Sequence, residues 1–274
     1  MKILLHPDHP ANAPPIARQD EGRLFTGGLI LVGSRLLPPI GDQEELGDTA
    51  TTEDDTASAT VSVPLDVHNE GVATLVDRFA RCCGVPEPQR LALVRAARSH
   101  DLGKADQRFQ AWLHNGNILA ARLAPCLLAK SGGFAHGRRE RDLARAKSGY
   151  PRGARHELVS VRLIESSIDS GAIEPEVDRD LVLHLIASHH GHARPLVPVV
   201  EDREPVQVSI VQNGKVLRAS SATELHRLES GVAERFWSLV RRYGWWKLAW
   251  LESLLRLADH RCSEREQVQS LIEE

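Results

Sequence analysis

The chain has 274 residues, of which 42% are hydrophobic and 26% are charged, and its formal net charge is −3 at pH 7. This composition is typical of a globular protein with a buried core, and the length suits one large domain or two. A slightly acidic chain does not coat nucleic acid over its whole surface, so any contact with DNA must be local.

The first 63 residues differ in composition from the rest of the chain. Residues 24–37, LFTGGLILVGSRLL, contain a short apolar run broken by glycines, which is typical of a strand and a turn. Residues 41–60 are rich in Asp and Glu, contain no aromatic residue, and favour a solvated linker, with a regulatory acidic tail as the alternative. We therefore predict an N-terminal segment with an acidic linker at 1–63 and a main domain at 64–274.

Helical periodicity dominates from residue 65 onward. Apolar residues recur at three- and four-residue steps in four segments, 68–83, 89–98, 156–168 and 178–190. Residues 223–262 fit two long helices around Gly244. In 205–218, by contrast, apolar residues alternate before and after Asn213-Gly214, which indicates a β-hairpin. The predicted fold class is mainly α, with a small hairpin near 205–218 and a short β-containing N-terminal segment.

Histidines and aspartates lie at or near the ends of the predicted helices. They are His68, His100, Asp101, His156, His189, His190 and Asp259. A helical bundle could bring all seven together, as bundles do when they build metal sites from facing helices. Imidazole and carboxylate suit borderline or hard divalent ions, and the four cysteines form no C-x-x-C pair for a zinc cluster or a redox site.

Single residues in this pattern leave alternatives open. Asp259 shares a helix face with Leu251 and Leu255, where an unpaired carboxylate is costly to bury. By itself it could still cap a helix or pair with a neighbouring arginine, Arg256 or Arg261. Three tryptophans at helical spacing, Trp245, Trp246 and Trp250, could stack on bases, but a core role is the favoured prediction.

The order His, His-Asp, His, His-His, Asp resembles the ligand series of the HD superfamily of metal-dependent phosphohydrolases. Four stretches are similar to one branch: SHDLGKADQRFQAWL at 99–113, RHELVS at 155–160, ASHHGHARP at 187–195 and RLADHRCS at 256–263. That branch is the HD nuclease domain of the type I CRISPR-associated helicase-nuclease, in the form in which the nuclease follows the helicase. The resemblance covers roughly residues 64–265 and implies an HD-domain helical bundle.

The resemblance also implies roles for individual residues. One divalent ion would be held by His68, His100, Asp101 and Asp259, and Asp101 would bridge to a second ion held by His156, His189 and His190. One or two ions of Fe, Mn, Ni, Co or Mg would generate hydroxide from water and stabilise the leaving oxygen of a phosphodiester. Asp101 and Lys104 would be the catalytic residues, with Lys104 next to a phosphate oxygen, although a salt bridge is its alternative role. Substrate binding would involve Lys104, Arg108, Arg194 and, more weakly, Ser263.

The function implied is that of a DNA endonuclease or exonuclease of CRISPR interference that acts on single strands. Its partners would be a helicase part, in cis or in trans, and the CRISPR RNA-guided surveillance complex. The chain has no G-x-x-x-x-G-K-[ST] phosphate loop, so we expect the motor elsewhere, and residues 1–63 could be the tail of that helicase part. A basic run from Arg138 to Arg155, just ahead of His156, could contact the DNA backbone.

Two other functional classes stay open at this point. The same ligands serve HD-family nucleotidases and cyclic-nucleotide phosphodiesterases, which act on small substrates, and an HD-like docking module without catalysis is a further alternative. The sequence has no secretory signal and no apolar run near ~18 residues, so we predict a cytoplasmic protein that does not enter a membrane.

Overall fold

The computed structural model divides the chain into two compact units, Met1–Ala50 and Thr51–Glu274. In the second unit it describes residues 61–132, 137–169 and 177–273, and in the first it describes four short strands. The acidic stretch at 41–60, which we predict to be a linker, lies outside the described residues. The division into 1–63 and 64–274 therefore stays a prediction.

The four strands of the first unit form two antiparallel pairs. Strand β1 (Ile16–Ala17) pairs with β4 (Arg35–Leu36), and β2 (Glu21–Phe25) pairs with β3 (Gly28–Val32). The predicted β-containing N-terminal segment is thereby confirmed.

The second unit is mostly helical, which confirms the predicted mainly α fold class and its helical bundle. Its helices in chain order are α1 (Leu65–Cys82), α2 (Glu87–Ala97), α3 (Gln107–Leu113), α4 (Ile118–Leu123), α5 (Gly137–Ser148), α6 (His156–Asp169), α7 (Arg179–Ser188), α8 (Val232–Tyr243) and α9 (Trp245–Glu273). Short 3-10 helices occupy Leu102–Ala105 and Leu228–Ser230. Strand β5 (Val63–Pro64), just before α1, pairs with β6 (Leu128–Lys130).

The helix boundaries follow from backbone signals. Pro64 precedes α1, and Asp66 places a carboxylate in the first turn, where the helix dipole favours negative charge. Gly244 has a φ of 77°, which separates α8 from α9 as predicted. The first of these helices begins at Val232 and not near 223, because Glu224 and Gly231 both adopt positive φ.

The hairpin is confirmed near the predicted position, as β7 (Gln207–Gln212) and β8 (Lys215–Ser220). Asn213 and Gly214, which connect Gln212 to Lys215, both have positive φ, at 51° and 73°. Positive φ at both central residues is the geometry of a type I′ turn.

One apolar core joins α1, α2, α6, α7, α8 and α9. Fully buried members include Val72, Leu93, Leu163, Leu185 and Leu255. The core role predicted for the three tryptophans is wrong, because Trp245, Trp246 and Trp250 are 58%, 90% and 37% exposed. Within the described ranges, no helix combines the length and hydropathy that a bilayer crossing requires.

Candidate metal centre

The core helices bring all seven predicted ligands together. His68 lies in the first turns of α1, His100 and Asp101 follow α2, and His156 is the first residue of α6. His189 and His190 come directly after α7, and Asp259 lies on α9. Two groups have ligand atoms that all lie within 4.8 Å of one another: Asp101 with His156, His189 and His190, and His68 with His100 and Asp259.

Asp101 lies between the two groups and offers one oxygen to each. Its Oδ1 is 2.9 Å from Nε2 of His156 and 3.8 Å from Nε2 of His189. Its Oδ2 is 3.6 Å from Nε2 of His100 and 3.8 Å from Nε2 of His68. A single carboxylate so placed can bridge two cations.

His100 and His189 are oriented from behind by the backbone. Nδ1 of His100 donates to the carbonyl oxygen of Ala97, and Nδ1 of His189 donates to that of Ile186, each at 2.7 Å. The two Nε2 atoms are buried and have no hydrogen-bond partner among the described residues. Buried polar atoms are rarely left unpaired, and an imidazole that donates one N–H to a carbonyl is the usual state of a metal ligand. These residues therefore fit a bound cation.

The charge states in the centre also suit a cation. Burial lowers the pKa of His100 and that of His189, the latter to about 3, so both rings are neutral near pH 7. Burial and the neighbouring imidazoles lower the pKa of His190 as well. Neutral imidazole is the form that binds metal ions.

The pKa of Asp101 is held well below its usual range. Burial raises it, but the electrostatic interactions with His100 and Lys104 and the hydrogen bond from His156 outweigh that effect. Asp101 is 2% exposed, so this buried carboxylate stays ionised only because cationic and hydrogen-bonding groups surround it.

His68 contacts two carboxylates, one through each ring nitrogen. Its Nε2 is 3.1 Å from Oδ1 of Asp259, and its Nδ1 is 2.8 Å from Oε1 of Glu266. Burial lowers the pKa of His68, but the hydrogen bonds to these carboxylates and to Cys262 raise it well above its usual value. Sequence reasoning missed Glu266, and no motif in the chain marks it.

Asp259 lies on the helix face that its sequence spacing predicts. Leu251 and Leu255, on the same side of α9, are fully buried. Of the two arginines that could have paired with Asp259, Arg261 contacts Glu264 at 2.7 Å instead.

Gly103 allows the 3-10 helix to lie directly against the start of α6. Its N–H donates to Oγ of Ser160 at 2.8 Å. A Cβ at this position would lie 1.9 Å from the carbonyl oxygen of His156 and 3.0 Å from the backbone nitrogen of Ser160. The close approach holds Asp101 and His156 within hydrogen-bonding distance.

The residues predicted to contact substrate are held by protein partners. Nζ of Lys104 is 2.6 Å from Oδ2 of Asp101 and donates to the carbonyl oxygen of Ala129 at 3.2 Å. Arg108 pairs with Asp106 at 2.8 Å and Asp202 at 2.9 Å, and Arg194 pairs with Glu252 at 2.5 Å. Ser263 accepts a hydrogen bond from Lys130. Their roles toward a substrate stay predictions.

Positive charge gathers near the His-His-Gly turn. Burial, together with the charges of Arg155, Arg194 and Arg256, lowers the pKa of His192. Nη1 of Arg256 is 3.5 Å from the position that a Cβ on Gly191 would occupy. Within the described part of the chain, Arg256 forms no ion pair, whereas Arg155 and Arg194 pair with Glu157 and Glu252. Sequence reasoning did not identify Arg256 as a candidate for substrate contact.

Comparison with protein families gives a match over residues 55–265 to the family model described as Cas3, HD domain. The matched region contains all seven members of the centre and ends one residue before Glu266. No significant match was found among curated proteins or solved structures.

Proposed function

The chain belongs to the family of Cas3 HD domains, and on that premise we propose that it hydrolyses phosphodiester bonds in single-stranded DNA during CRISPR interference. Membership implies a metal-dependent HD nuclease of CRISPR systems, and the strand preference and the partners are the proposed part. One observation carries the proposal: the buried Nε2 atoms of His100 and His189 have no hydrogen-bond partner among the residues that the structure describes, and they face the two oxygens of Asp101.

In this proposal each of the two ligand groups would hold one divalent cation, and Asp101 would contribute to both groups. When bound, such cations polarise a phosphodiester oxygen, lower the pKa of a water molecule and stabilise the leaving oxygen. The donors are imidazole nitrogen and carboxylate oxygen, which suit Fe, Mn, Ni, Co or Mg.

Lys104 has two tasks in the proposed reaction. Its ammonium lies 2.6 Å from Oδ2 of Asp101, so it fixes the orientation of the shared carboxylate. Because Lys104 is 2% exposed, its positive charge acts in a poorly screened environment. That charge can stabilise the negative charge that develops on a phosphate during hydrolysis.

The cations around the His-His-Gly turn support a nucleic-acid substrate. Arg155, Arg194 and Arg256 act electrostatically on His192, which follows the predicted ligands His189 and His190 in the chain. The chain is slightly acidic overall, so contact with a phosphate backbone requires a local group of basic residues such as these arginines. We further propose that a helicase part, in cis or in trans, and the RNA-guided surveillance complex deliver the single strand.

The test compares metal-loaded protein on circular single-stranded DNA, blunt duplex DNA and free nucleotides, including cyclic dinucleotides. We expect metal-dependent cleavage of the single-stranded circle, little cleavage of the duplex, and a rate that falls as salt rises. Asp101→Asn controls for a contaminating nuclease and should leave no cleavage above background. Rapid turnover of a nucleotide without DNA cleavage would overturn the proposal and favour the nucleotidase or phosphodiesterase alternative.

A further inference from the structure

We propose that Glu266, supported by Lys130, is a positioning residue that fixes the ring of His68 so that its Nε2 faces the metal centre. The inference rests on the proposed function, because it concerns the cation held by His68, His100 and Asp259. It adds two residues, Glu266 and Lys130, to the group that determines how tightly that cation binds.

The first support is the way in which α9 holds both nitrogens of one imidazole. Asp259 contacts Nε2 of His68 at 3.1 Å, and Glu266 contacts Nδ1 at 2.8 Å. The two acids are seven residues apart, which is close to two full turns, so they lie on the same face of α9. His68 is 1% exposed, and its ring is held between the two carboxylates.

Hydrogen-bond chemistry assigns a direction to the Glu266 contact. An ionised carboxylate only accepts hydrogen bonds, so Nδ1 of His68 must be the donor. Nε2, which contacts Asp259 in this structure, would give up its proton when a cation binds, and Nδ1 would keep its N–H toward Glu266. A carboxylate that binds the distal N–H of a histidine ligand fixes the tautomer and the ring orientation and raises the basicity of the ring.

The second support is a buried ammonium that holds Glu266 in place. Nζ of Lys130 is 2.8 Å from Oε2 of Glu266 and also donates to Oγ of Ser263, one turn earlier on α9. Lys130 is 3% exposed, and the side chain of Glu266 is 12% exposed. Each carboxylate oxygen therefore has its own partner, His68 for Oε1 and Lys130 for Oε2. Lys130 is the last residue of β6, and β6 pairs with β5, which directly precedes α1. The contact between Lys130 and Glu266 therefore connects α9 to β6 beside the helix that carries His68.

A direct ligand role for Glu266 is the competing interpretation. His68, Cys262 and Glu266 also form a group with ligand atoms within 4.8 Å of one another. Sγ of Cys262 is 3.3 Å from Oε1 of Glu266. However, both oxygens of Glu266 already have cationic or N–H partners, and an adjacent Lys130 ammonium disfavours a cation there. We therefore expect no metal in this third group.

The experiment measures metal binding directly and does not depend on turnover. Wild type, Glu266→Gln and His68→Ala are titrated with Co²⁺, with stoichiometry from elemental analysis, affinity from competition with a chelator, and coordination from the visible absorption of Co²⁺. Glu252→Gln is the matched control, since Glu252 also lies on α9, is 4% exposed and contacts a buried imidazole, Nε2 of His184, at 2.6 Å. His184 belongs to neither ligand group.

We expect two Co²⁺ per wild-type chain, one for each group that contains no cysteine. Glu266→Gln should weaken by about 10- to 100-fold the same equivalent that His68→Ala removes, and it should alter the spectrum of that equivalent alone. Glu252→Gln should melt at a lower temperature and keep both affinities. The double variant Lys130→Met with Glu266→Gln leaves no unpaired buried charge, so it guards against a folding failure and should show the same loss of affinity.

Three results would overturn the inference, and one of them would also remove the proposed function. Unchanged Co²⁺ affinity in folded Glu266→Gln rules out positioning by Glu266. A third wild-type equivalent that Glu266→Gln abolishes makes Glu266 a direct ligand. A wild-type chain that binds no divalent ion contradicts the proposed function together with the inference.

Discussion

The close approach of the 3-10 helix to α6 gives a sharp test of the candidate centre, through the substitution Gly103→Ala. The added Cβ would lie 1.9 Å from the carbonyl oxygen of His156, whereas ordinary contact begins near 3.4 Å. The nearby atoms belong to the backbone and cannot rotate away. The two segments must therefore separate by roughly 1.5 Å. That movement carries His156 away from Oδ1 of Asp101, which it now contacts at 2.9 Å.

Gly103→Ala should reduce both the free energy of unfolding and the rate of cleavage. Overpacking of a well-packed contact lowers the free energy of unfolding by about 1–3 kcal/mol. A displacement of about 1 Å at a reacting centre lowers the rate by about 100-fold. Urea unfolding measures the first quantity, and Co²⁺ affinity together with cleavage of circular single-stranded DNA measures the second.

Gly84→Ala is the matched control for this substitution. Gly84 has a φ of +66°, so an alanine there is strained by about 1–2 kcal/mol, but beyond its chain neighbours no described residue places an atom within 4 Å of the added Cβ. Both variants should therefore lose stability, and only Gly103→Ala should lose metal affinity and cleavage. If Gly103→Ala binds Co²⁺ as wild type does and cleaves at the wild-type rate, the close approach does not hold the centre together.

Three further predictions concern the DNA surface, the helix that precedes the paired histidines, and the domain boundary. Arg256→Gln should weaken single-stranded DNA binding and reduce the salt slope of the affinity by about one phosphate contact, measured by fluorescence anisotropy; an unchanged slope would exclude contact with the backbone. Asp178 caps α7 and contacts Arg242 at 2.6 Å, so Asp178→Ala should lower the free energy of unfolding by about 1–2 kcal/mol at pH 7. Burial raises the pKa of Asp178, but hydrogen bonds from Tyr243 and Arg242 lower it below the usual value, so this difference should be present above pH ~4 and should vanish as the pH falls through the folded-state pKa. A difference that persists in acid would contradict this reasoning. A shortened chain that begins at Val61 should stay soluble and keep its Co²⁺ affinity; loss of helical circular dichroism would contradict the boundary near residue 64.

The helices that carry the ligands were predictable because their signal is local. In α1, the buried residues Val72, Leu75 and Val76 recur at the spacing of one helix face, and the exposed Thr74 and Arg78 lie outside that face. The hairpin was predictable for a similar reason, since Asn213-Gly214 satisfies the positive φ of its turn without any distant contact.

The region between Asp106 and Ser148 gave no comparable signal. Helix α3 has seven residues, and the five from Phe109 to Leu113 are all buried, so it shows no alternation between an apolar and a polar face. Amphipathic periodicity requires a solvent-exposed side, which this helix lacks over most of its length. The core role predicted for the three tryptophans was wrong for a different reason. Helical spacing shows that residues share a face, but it does not show whether another element covers that face.

Glu266 was hidden from sequence reasoning because its partners are distant in the chain. It lies 198 residues from His68 and 136 residues from Lys130. Its contact also depends on the length of α9, which continues to Glu273, whereas the pattern predicted an end near residue 262. Had the helix ended there, no regular geometry would place Glu266 two turns beyond Asp259 on the same face.

The buried ion pair between Lys130 and Glu266 is better explained by its effect on His68 than by its contribution to stability. Burying two charges has a large desolvation penalty, and a buried pair is often no more stable than an apolar pair of the same volume. The pair between Lys130 and Glu266 therefore contributes little to the free energy of folding at the interface between β6 and α9. Orientation of His68 is the better explanation for the pair, because an apolar pair could not accept its Nδ1–H. The predicted ligands of this centre can thus be recognised from short sequence patterns, whereas the residues that we propose to orient His68 are brought to it only by the packing of the folded chain.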